Sequence, residues 1–571
     1  MPTVAKHIVD TLAASGVNRV YGLPGDSLNG FTDALRTTDE VDWVHVRHEE
    51  SAAFAASADA ALTGRIAVCA GSCGPGNLHL INGVYDAKRS RVPMLVLAAH
   101  IPTPEIGTGY FQETHPQDLY RESSVYTEYV SQPEQLPRLL RIAMREALSQ
   151  SGPAVLVIPG DVLTGKTDAK PQTILPTTSS ILPDDEALQA AADAINGNSK
   201  VTILAGAGAA GAHDELVNLA EKLQAPVVHA LRGKEHVEYD NPYDVGMTGL
   251  LGITSGYHAL IEAETLIMLG TDFPYPQFYP EGATVIQVDV RGGQIGRRVS
   301  VDHPLVGTVK ETVAALLPKL QVNKSSKHLD KVLKHHGKTL KNLKDLEKPD
   351  RKRIHPQHLT ALINDKAADD AVFIPDVGSP VMWAARHLDM NGRRRLIGSF
   401  THGSMANALP QSIGAQIAYP DRQVIALAGD GGLSMLMGEL LTVTQNKLPV
   451  KTVVYNNDSL NFVELEMKAA GFVNYATDLS NPDFAAVANA LGIKGIRVED
   501  PKDLDKAIDE FLAHDGPALL DVVVERQELT IPPSIEKEQA EGFALFAVRT
   551  VLDGRGSELI DLAKANIRQV F

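Results

Sequence analysis

Three times along the chain, short apolar runs of strand length alternate with helical patterns and close on glycine or aspartate, and this rhythm limits the fold more than any other feature. In the first stretch the runs begin at Arg19, Trp43, Ile66, Met94 and Ala154. In the second they begin at Val201, Pro226, Thr265 and Thr284, and in the third at Ala371, Gln423, Val450 and Ala518. Apolar strands separated by helix-length segments make parallel sheets covered by helices on both faces. The expected fold is α/β, with three doubly wound parallel-sheet domains. A chain of 571 residues requires such a division, because a single core stops growing at roughly 250–300 residues.

Local composition places the boundaries. Residues 170–180 are rich in proline, serine and threonine, residues 319–353 are dense in lysine with leucines at helical spacing, and Pro532 and Pro533 interrupt regular structure. Domains are therefore expected at 1–180, 181–335 and 336–530, with a tail at 531–571. Lys plus Arg 53 against Asp plus Glu 70 gives a net charge of −17, which repels polyanions and argues against a nucleic-acid partner. Two cysteines, Cys69 and Cys73, cannot make a disulfide framework and suit a reducing compartment. The N-terminal residues lack a secretory signal and no run of about 18 apolar residues follows, so a cytoplasmic location is expected unless the protein touches a membrane from one side.

The sharpest chemical signal is Gly429-Asp430-Gly431-Gly432 at the end of one strand and Asn456-Asn457 at the end of the next. Open α/β sheets bind ligands at the carboxyl ends of their strands. Asp430 and Asn457 offer hard oxygens for Mg²⁺, while Gly431 and Gly432 let a diphosphate approach the start of the following helix. A Gly-Asp-Gly alone is common in loops, but its separation from Asn-Asn by a single helix is far less so. In this pairing the chain resembles the thiamin diphosphate family of pyruvate oxidases, acetolactate synthases and decarboxylases.

That resemblance implies metal ligation by Asp430, Asn457 and a backbone carbonyl near Ser459. It implies that Gly403, Ser404 and Met405 embrace the coenzyme rings, Met405 as the wedge beneath them; from the residue alone, Met405 could equally be ordinary core. The family also activates its coenzyme with one glutamate. Here Glu49 and Glu50 follow a strand and open an alanine-rich helix, where they could simply complement the helix dipole. The resemblance selects Glu49 and places it across a subunit interface from Asp430, making a dimer obligatory and a dimer of dimers the usual assembly.

Over the whole chain the similarity is strongest to the quinone-linked pyruvate oxidases of bacteria, through the segments starting at Cys69, Gly109, His229 and Leu269. It implies FAD in the middle domain, lined by Thr248, Gly249, Leu250 and Leu251 and by Thr271, Asp272, Phe273, Pro274 and Tyr275, with Asp289 accepting from ribose hydroxyls. The glycine turn at Gly206 is weak support by itself. Phe111 and Gln112 match a substrate-side loop, and Phe462 matches an aromatic that assists electron transfer. Asn461 stands where those relatives carry a small glycine, which bears on the mobility of that loop. The implied reaction is oxidative decarboxylation of pyruvate to acetate and CO₂, with electrons passing through FAD to a membrane quinone.

In the tail, Leu559, Ile560, Leu562, Ala563, Ile567, Val570 and Phe571 share one half of a helical wheel, opposite Asp561, Lys564 and Arg568. Such a helix either docks on the body or lies on a phospholipid surface, and we expect these to be two states of one switch on the inner face of the membrane. The alternatives are an acetolactate synthase, an oxygen-using oxidase that forms acetyl phosphate, and a catalytically dead scaffold, the last opposed by intact Glu49, Asp430 and Asn457.

Overall fold

The computed structural model describes all residues except 178, 530, 531, 534–536, 554 and 571, and does not describe the side chains of 537, 538 and 567–570. Eighteen strands form three six-stranded sheets, every neighbouring pair parallel. The first contains β1 (Arg19–Gly22), β2 (Asp42–His45), β3 (Ala67–Gly71), β4 (Met94–His100), β5 (Tyr126–Tyr129) and β6 (Pro153–Pro159), in the order β2-β1-β3-β4-β6-β5. The second contains β7 (Val201–Ala205), β8 (Val227–His229), β9 (Asp244–Met247), β10 (Thr265–Leu269), β11 (Thr284–Asp289) and β12 (His303–Val306), in the order β12-β11-β10-β7-β8-β9. The third contains β13 (Val372–Pro375), β14 (Arg395–Leu396), β15 (Val424–Gly429), β16 (Lys451–Asn456), β17 (Lys494–Val498) and β18 (Ala518–Val523), in the order β14-β13-β15-β16-β18-β17. The expected α/β class with three doubly wound sheets holds. Sequence reading missed β5, β9, β12, β14 and β17, and each of these is an edge strand.

The helices that shape the sites are α1 (Val4–Ala14), α2 (Glu49–Thr63), α3 (Pro75–Ser90), α4 (Leu136–Gln150), α5 (Ala408–Ala418), α6 (Asp430–Met435), α7 (Asn461–Ala469), α8 (Lys537–Leu552) and α9 (Gly556–Val570). Helix α2 is rich in alanine and buried around most of its circumference, because it is sandwiched between α3 and α5. The contact is backbone-close: a Cβ on Gly414 would overlap the Ala55 carbonyl oxygen, and one on Gly83 would lie 2.5 Å from the Ala53 Cβ. The first and third sheets are further joined by Arg19 donating to the Ile417 carbonyl at 3.0 Å and Tyr419 donating to the Leu62 carbonyl at 2.8 Å. The middle sheet joins them through polar contacts, with Arg232 donating to the Ser90 carbonyl at 2.8 Å and Arg395 to the Glu235 carboxylate at 2.9 Å.

The tail folds back onto the third sheet's periphery. On α8, Gly542 packs so closely on α7 that a Cβ would overlap the Ala469 carbonyl oxygen, and Phe546 is buried beneath the Lys468 ammonium, which lies 5.6 Å from its ring centre. On α9 the face turned to the body is centred on Ala565 and Asn566, not on the predicted stripe. The Asn566 amide sets that rotation by donating to the Gln527 carbonyl at 2.6 Å and accepting from the Leu529 N–H at 2.8 Å. Ile560 and Ala563 of the stripe are consequently exposed and Leu559 and Leu562 half-buried, while the side chains of Ile567, Arg568 and Val570, and Phe571 altogether, lie outside the described residues. Among the described residues no helix is long and apolar enough to cross a membrane.

Candidate active site

Strands β15 and β16 are direct neighbours, with Gly429 in register with Tyr455, so Asp430 and Asn457 emerge side by side at their carboxyl ends. Asp430 is buried and its carboxylate accepts from the N–H groups of Gly431 at 2.8 Å, Asn457 at 3.0 Å and Asp458 at 2.8 Å, and from the Asn481 amide at 2.8 Å. Burial nevertheless holds its carboxyl above the usual carboxylate range, and among the described residues no lysine or arginine pairs with it. A buried acid without a counter-charge, with the Asn457 amide oxygen and a turn of backbone carbonyls nearby, fits a hard divalent cation. The Ser459 hydroxyl donates to Glu464 at 2.7 Å.

A cleft opens in front of these groups, lined also by Met405, Gly431, Gly432, Ser459 and Phe462. A Cβ on Gly431 would meet Leu460 at 2.8 Å and the Met405 methyl at 3.5 Å, so Met405 stands directly over the glycine turn. Asp376 escaped sequence reading, having no motif around it. It is buried at the cleft wall, accepts from the Ala408 N–H at 2.9 Å and the Gly429 N–H at 3.2 Å, and burial pushes its carboxyl up to about 7. Asp376 also explains Gly432, since any Cβ there would overlap its carboxylate. Asn461 accepts from the Ser379 hydroxyl at 2.9 Å and donates to the Arg526 carbonyl at 2.7 Å, fastening the helix that carries Phe462.

Glu49 does not line this cleft. It lies at the start of α2, 6% exposed, with its carboxylate 2.9 Å from His79 Nδ1, and His79 stacks on His48 with ring centres 4.4 Å apart. Glu50 is separated from it by bonding instead to the Asn82 amide at 2.7 Å. Asn82 also donates to the Ser404 hydroxyl at 3.0 Å and accepts from His402, so the first sheet's α3 holds the Gly403–Met405 loop of the third. Gln112, at φ +62°, accepts from the Cys73 thiol at 3.2 Å beside the start of α3, and Phe111 projects with 77% of its surface exposed. His79 was missed because one histidine in a helix carries no motif.

In the middle sheet, Thr248 and Gly249 pack against the 271–275 turn: Gly249 has φ +96° and a Cβ there would lie 2.9 Å from the Phe273 ring, itself edge-on to Tyr275. Leu250 is exposed, the Leu251 carbonyl accepts from Arg386 at 3.0 Å, and Pro274 faces solvent. Asp289 accepts from the Arg291 N–H at 2.9 Å. The Thr248 hydroxyl and two guanidinium nitrogens of Arg291 are buried without a hydrogen-bond partner. Arg91, held in the left-handed region and 3.4 Å from Asp272, is pulled down to about 10 by burial and by the charge of Arg291. Orphaned donors and mutually repelling guanidiniums at strand ends fit a diphosphate-bearing dinucleotide. Arg91 and Arg291 are thus further candidates, visible only once the fold brings them together.

A buried acid and amide at adjoining strand tips, in a chain of three parallel sheets, fit an enzyme built around a diphosphate cofactor. Comparison with known proteins agrees: residues 2–119, 188–316 and 376–522 match the N-terminal TPP binding, central, and C-terminal TPP binding domains of the thiamine pyrophosphate enzymes. The chain belongs to the thiamine pyrophosphate enzyme family. It is 36% identical over 572 residues to the protein YdaP of Bacillus subtilis (strain 168), covering 100% of this chain and 99% of that one. It is 32% identical over 562 residues to the acetolactate synthase large subunit of Parasynechococcus marenigrum (strain WH8102), covering 94% and 90%, and 30% identical over 533 residues to the pyruvate oxidase of Lactiplantibacillus plantarum, covering 90% and 88%.

Proposed function

We propose that this enzyme oxidatively decarboxylates pyruvate to acetate and CO₂ and passes the electrons through FAD to a membrane quinone. When bound, thiamin diphosphate supplies the carbon nucleophile and the electron sink for decarboxylation. Asp430, Asn457 and the Ser459 carbonyl would hold Mg²⁺, Gly431 and Gly432 admit the diphosphate, and Met405 supports the rings. Glu49 lies outside its own chain's cleft, which supports a homodimer in which a second copy brings Glu49, Phe111 and Gln112 to the site, the dimers pairing into a tetramer. There Glu49 would hold a proton at the pyrimidine nitrogen, oriented by His79.

The observation that favours a quinone-linked oxidase over a synthase is the tail. It packs on α7, which carries Phe462, and leaves Leu545, Val548, Val551, Leu552 and Ile560 exposed, a row suited to a phospholipid surface. Release of α8 would free α7 and open the cleft to quinone while the enzyme lies on the inner face of the membrane. The test is anaerobic addition of pyruvate to protein loaded with thiamin diphosphate, Mg²⁺ and FAD. Bleaching of the flavin, and acetate formation once a quinone analogue is added, are expected. Unchanged flavin absorbance with acetolactate as product would instead establish the synthase chemistry, and peroxide with acetyl phosphate the oxygen-using one.

A further inference from the structure

Apart from the cofactor cleft, α1, α4 and the segment 166–174 line an open cleft in the first domain. Its rim carries Arg138, Arg141, Lys166 and Lys170, all exposed. Among the described residues none of the four pairs with a carboxylate; Arg141 only donates to the Gln172 amide oxygen at 3.4 Å. Glu134 and Asp168 are the acids that line the cleft, leaving an excess of two positive charges in a chain whose net charge is −17. Uncompensated cations on an acidic protein focus a local positive potential. Arg138 and Arg141 lie one turn apart on α4, spaced so that two guanidinium forks can address one anion.

The floor is polar and incomplete. Thr11 is 2% exposed, and its hydroxyl has no hydrogen-bond partner although it lines the cleft. His7, one turn earlier on α1, is also buried; its Nδ1 lies 3.2 Å from the Ala169 carbonyl, so this nitrogen carries the proton and Nε2 is left as an acceptor. Burial lowers the His7 imidazole, which keeps the ring neutral. A buried hydroxyl left without a partner costs stability until something binds it. The cleft therefore offers cations at the rim, and a hydroxyl with a neutral acceptor below.

We propose that this cleft binds a hydroxylated phosphate monoester, its phosphate held by Arg138, Arg141, Lys166 and Lys170 and a hydroxyl reaching Thr11 and His7. Guanidinium forks match phosphate oxygens in pairs, and the neutral imidazole suits a hydroxyl donor better than a second anion. The site shares no residue with the cofactor cleft, so the inference stands whether or not the proposed reaction is correct.

Glycerol 3-phosphate serves as the probe, titrated calorimetrically into full-length protein already saturated with thiamin diphosphate and Mg²⁺, with inorganic phosphate alongside. One site per chain is expected, binding the ester more tightly than inorganic phosphate and weakening with added salt. R138A/R141A should lower affinity about tenfold or more, and T11V by a smaller factor with a melting temperature of the unliganded protein no lower than wild type, whereas K324A/K327A, outside the cleft, should leave it unaltered. No binding at millimolar ester, or equal affinity in wild type and R138A/R141A, would overturn the proposal. So would capture of phosphatidylglycerol vesicles through Arg138 and Arg141 without binding of the soluble ester, since the occupant would then be a lipid headgroup.

Discussion

Substituting Gly542 by alanine tests how the tail governs the cleft. The added methyl would overlap the Ala469 carbonyl oxygen, a backbone group that no rotamer change can move aside. Among the described residues, several hydrogen bonds hold the tail down. Arg549 donates to the Gly471 carbonyl at 2.7 Å, Arg555 to Asn474 at 2.9 and 3.0 Å, and Asn566 makes its two bonds to 527 and 529. At about 0.5–1.5 kcal/mol each, with roughly 1.5–3 kcal/mol for burying Phe546, the gross attraction is on the order of 4–10 kcal/mol before the entropy of ordering two helices is subtracted. Overpacking typically costs about 1–3 kcal/mol, which multiplies the undocked population by roughly 5–150. Cleavage by trypsin at Arg549 and Arg555 tracks that population when reclosing outpaces the protease, so G542A should be nicked faster by the same factor. Turnover with a soluble dye acceptor should rise in parallel without lipid. Gly438, where a Cβ meets nothing within 4 Å, supplies the control G438A. Nicking and dye turnover of G542A within about twofold of G438A would refute both the contact and the coupling.

Glu49→Ala should lower turnover by about 10²–10⁴-fold, as loss of a proton-handling group does, at unchanged melting temperature and flavin content. Asp376 titrates higher folded than unfolded, so its contribution to stability is full below about pH 4 and is lost as pH rises to about 7. Between those limits the cofactor-free wild type should lose stability relative to D376N by at most on the order of 4 kcal/mol, and a flat difference in denaturant midpoints would contradict the assignment. Arg91→Ala should reduce flavin retained through gel filtration, read as the ratio of visible to ultraviolet absorbance; full retention would remove Arg91 from the dinucleotide site.

Interior strands were legible because both of their faces are covered: β6 and β15 are almost wholly buried and show as unbroken apolar runs. Edge strands lose that signature. β5 is Tyr-Thr-Glu-Tyr with its third residue exposed, β17 is Lys-Gly-Ile-Arg-Val, and β14 has only two residues, so neither periodicity nor apolarity marks them. The candidate metal turn was equally plain, since Asp430 and Asn457 sit at the tips of neighbouring strands. Asp376, His79, Arg91 and Arg291 act through residues distant in sequence, and no local pattern announces them. The tail was half legible: an apolar stripe forecast a helix, but one asparagine with two backbone partners decided which side faced inward.

The backbone-close seam at Gly414 bears on how this enzyme could be recombined with its relatives. Crossovers that exchange the third domain without the first would set any side chain brought in at 414 against the Ala55 carbonyl, so those two are best inherited as a pair. The middle domain, bound to them by guanidiniums on carbonyls and carboxylates, is the piece a chimera could replace.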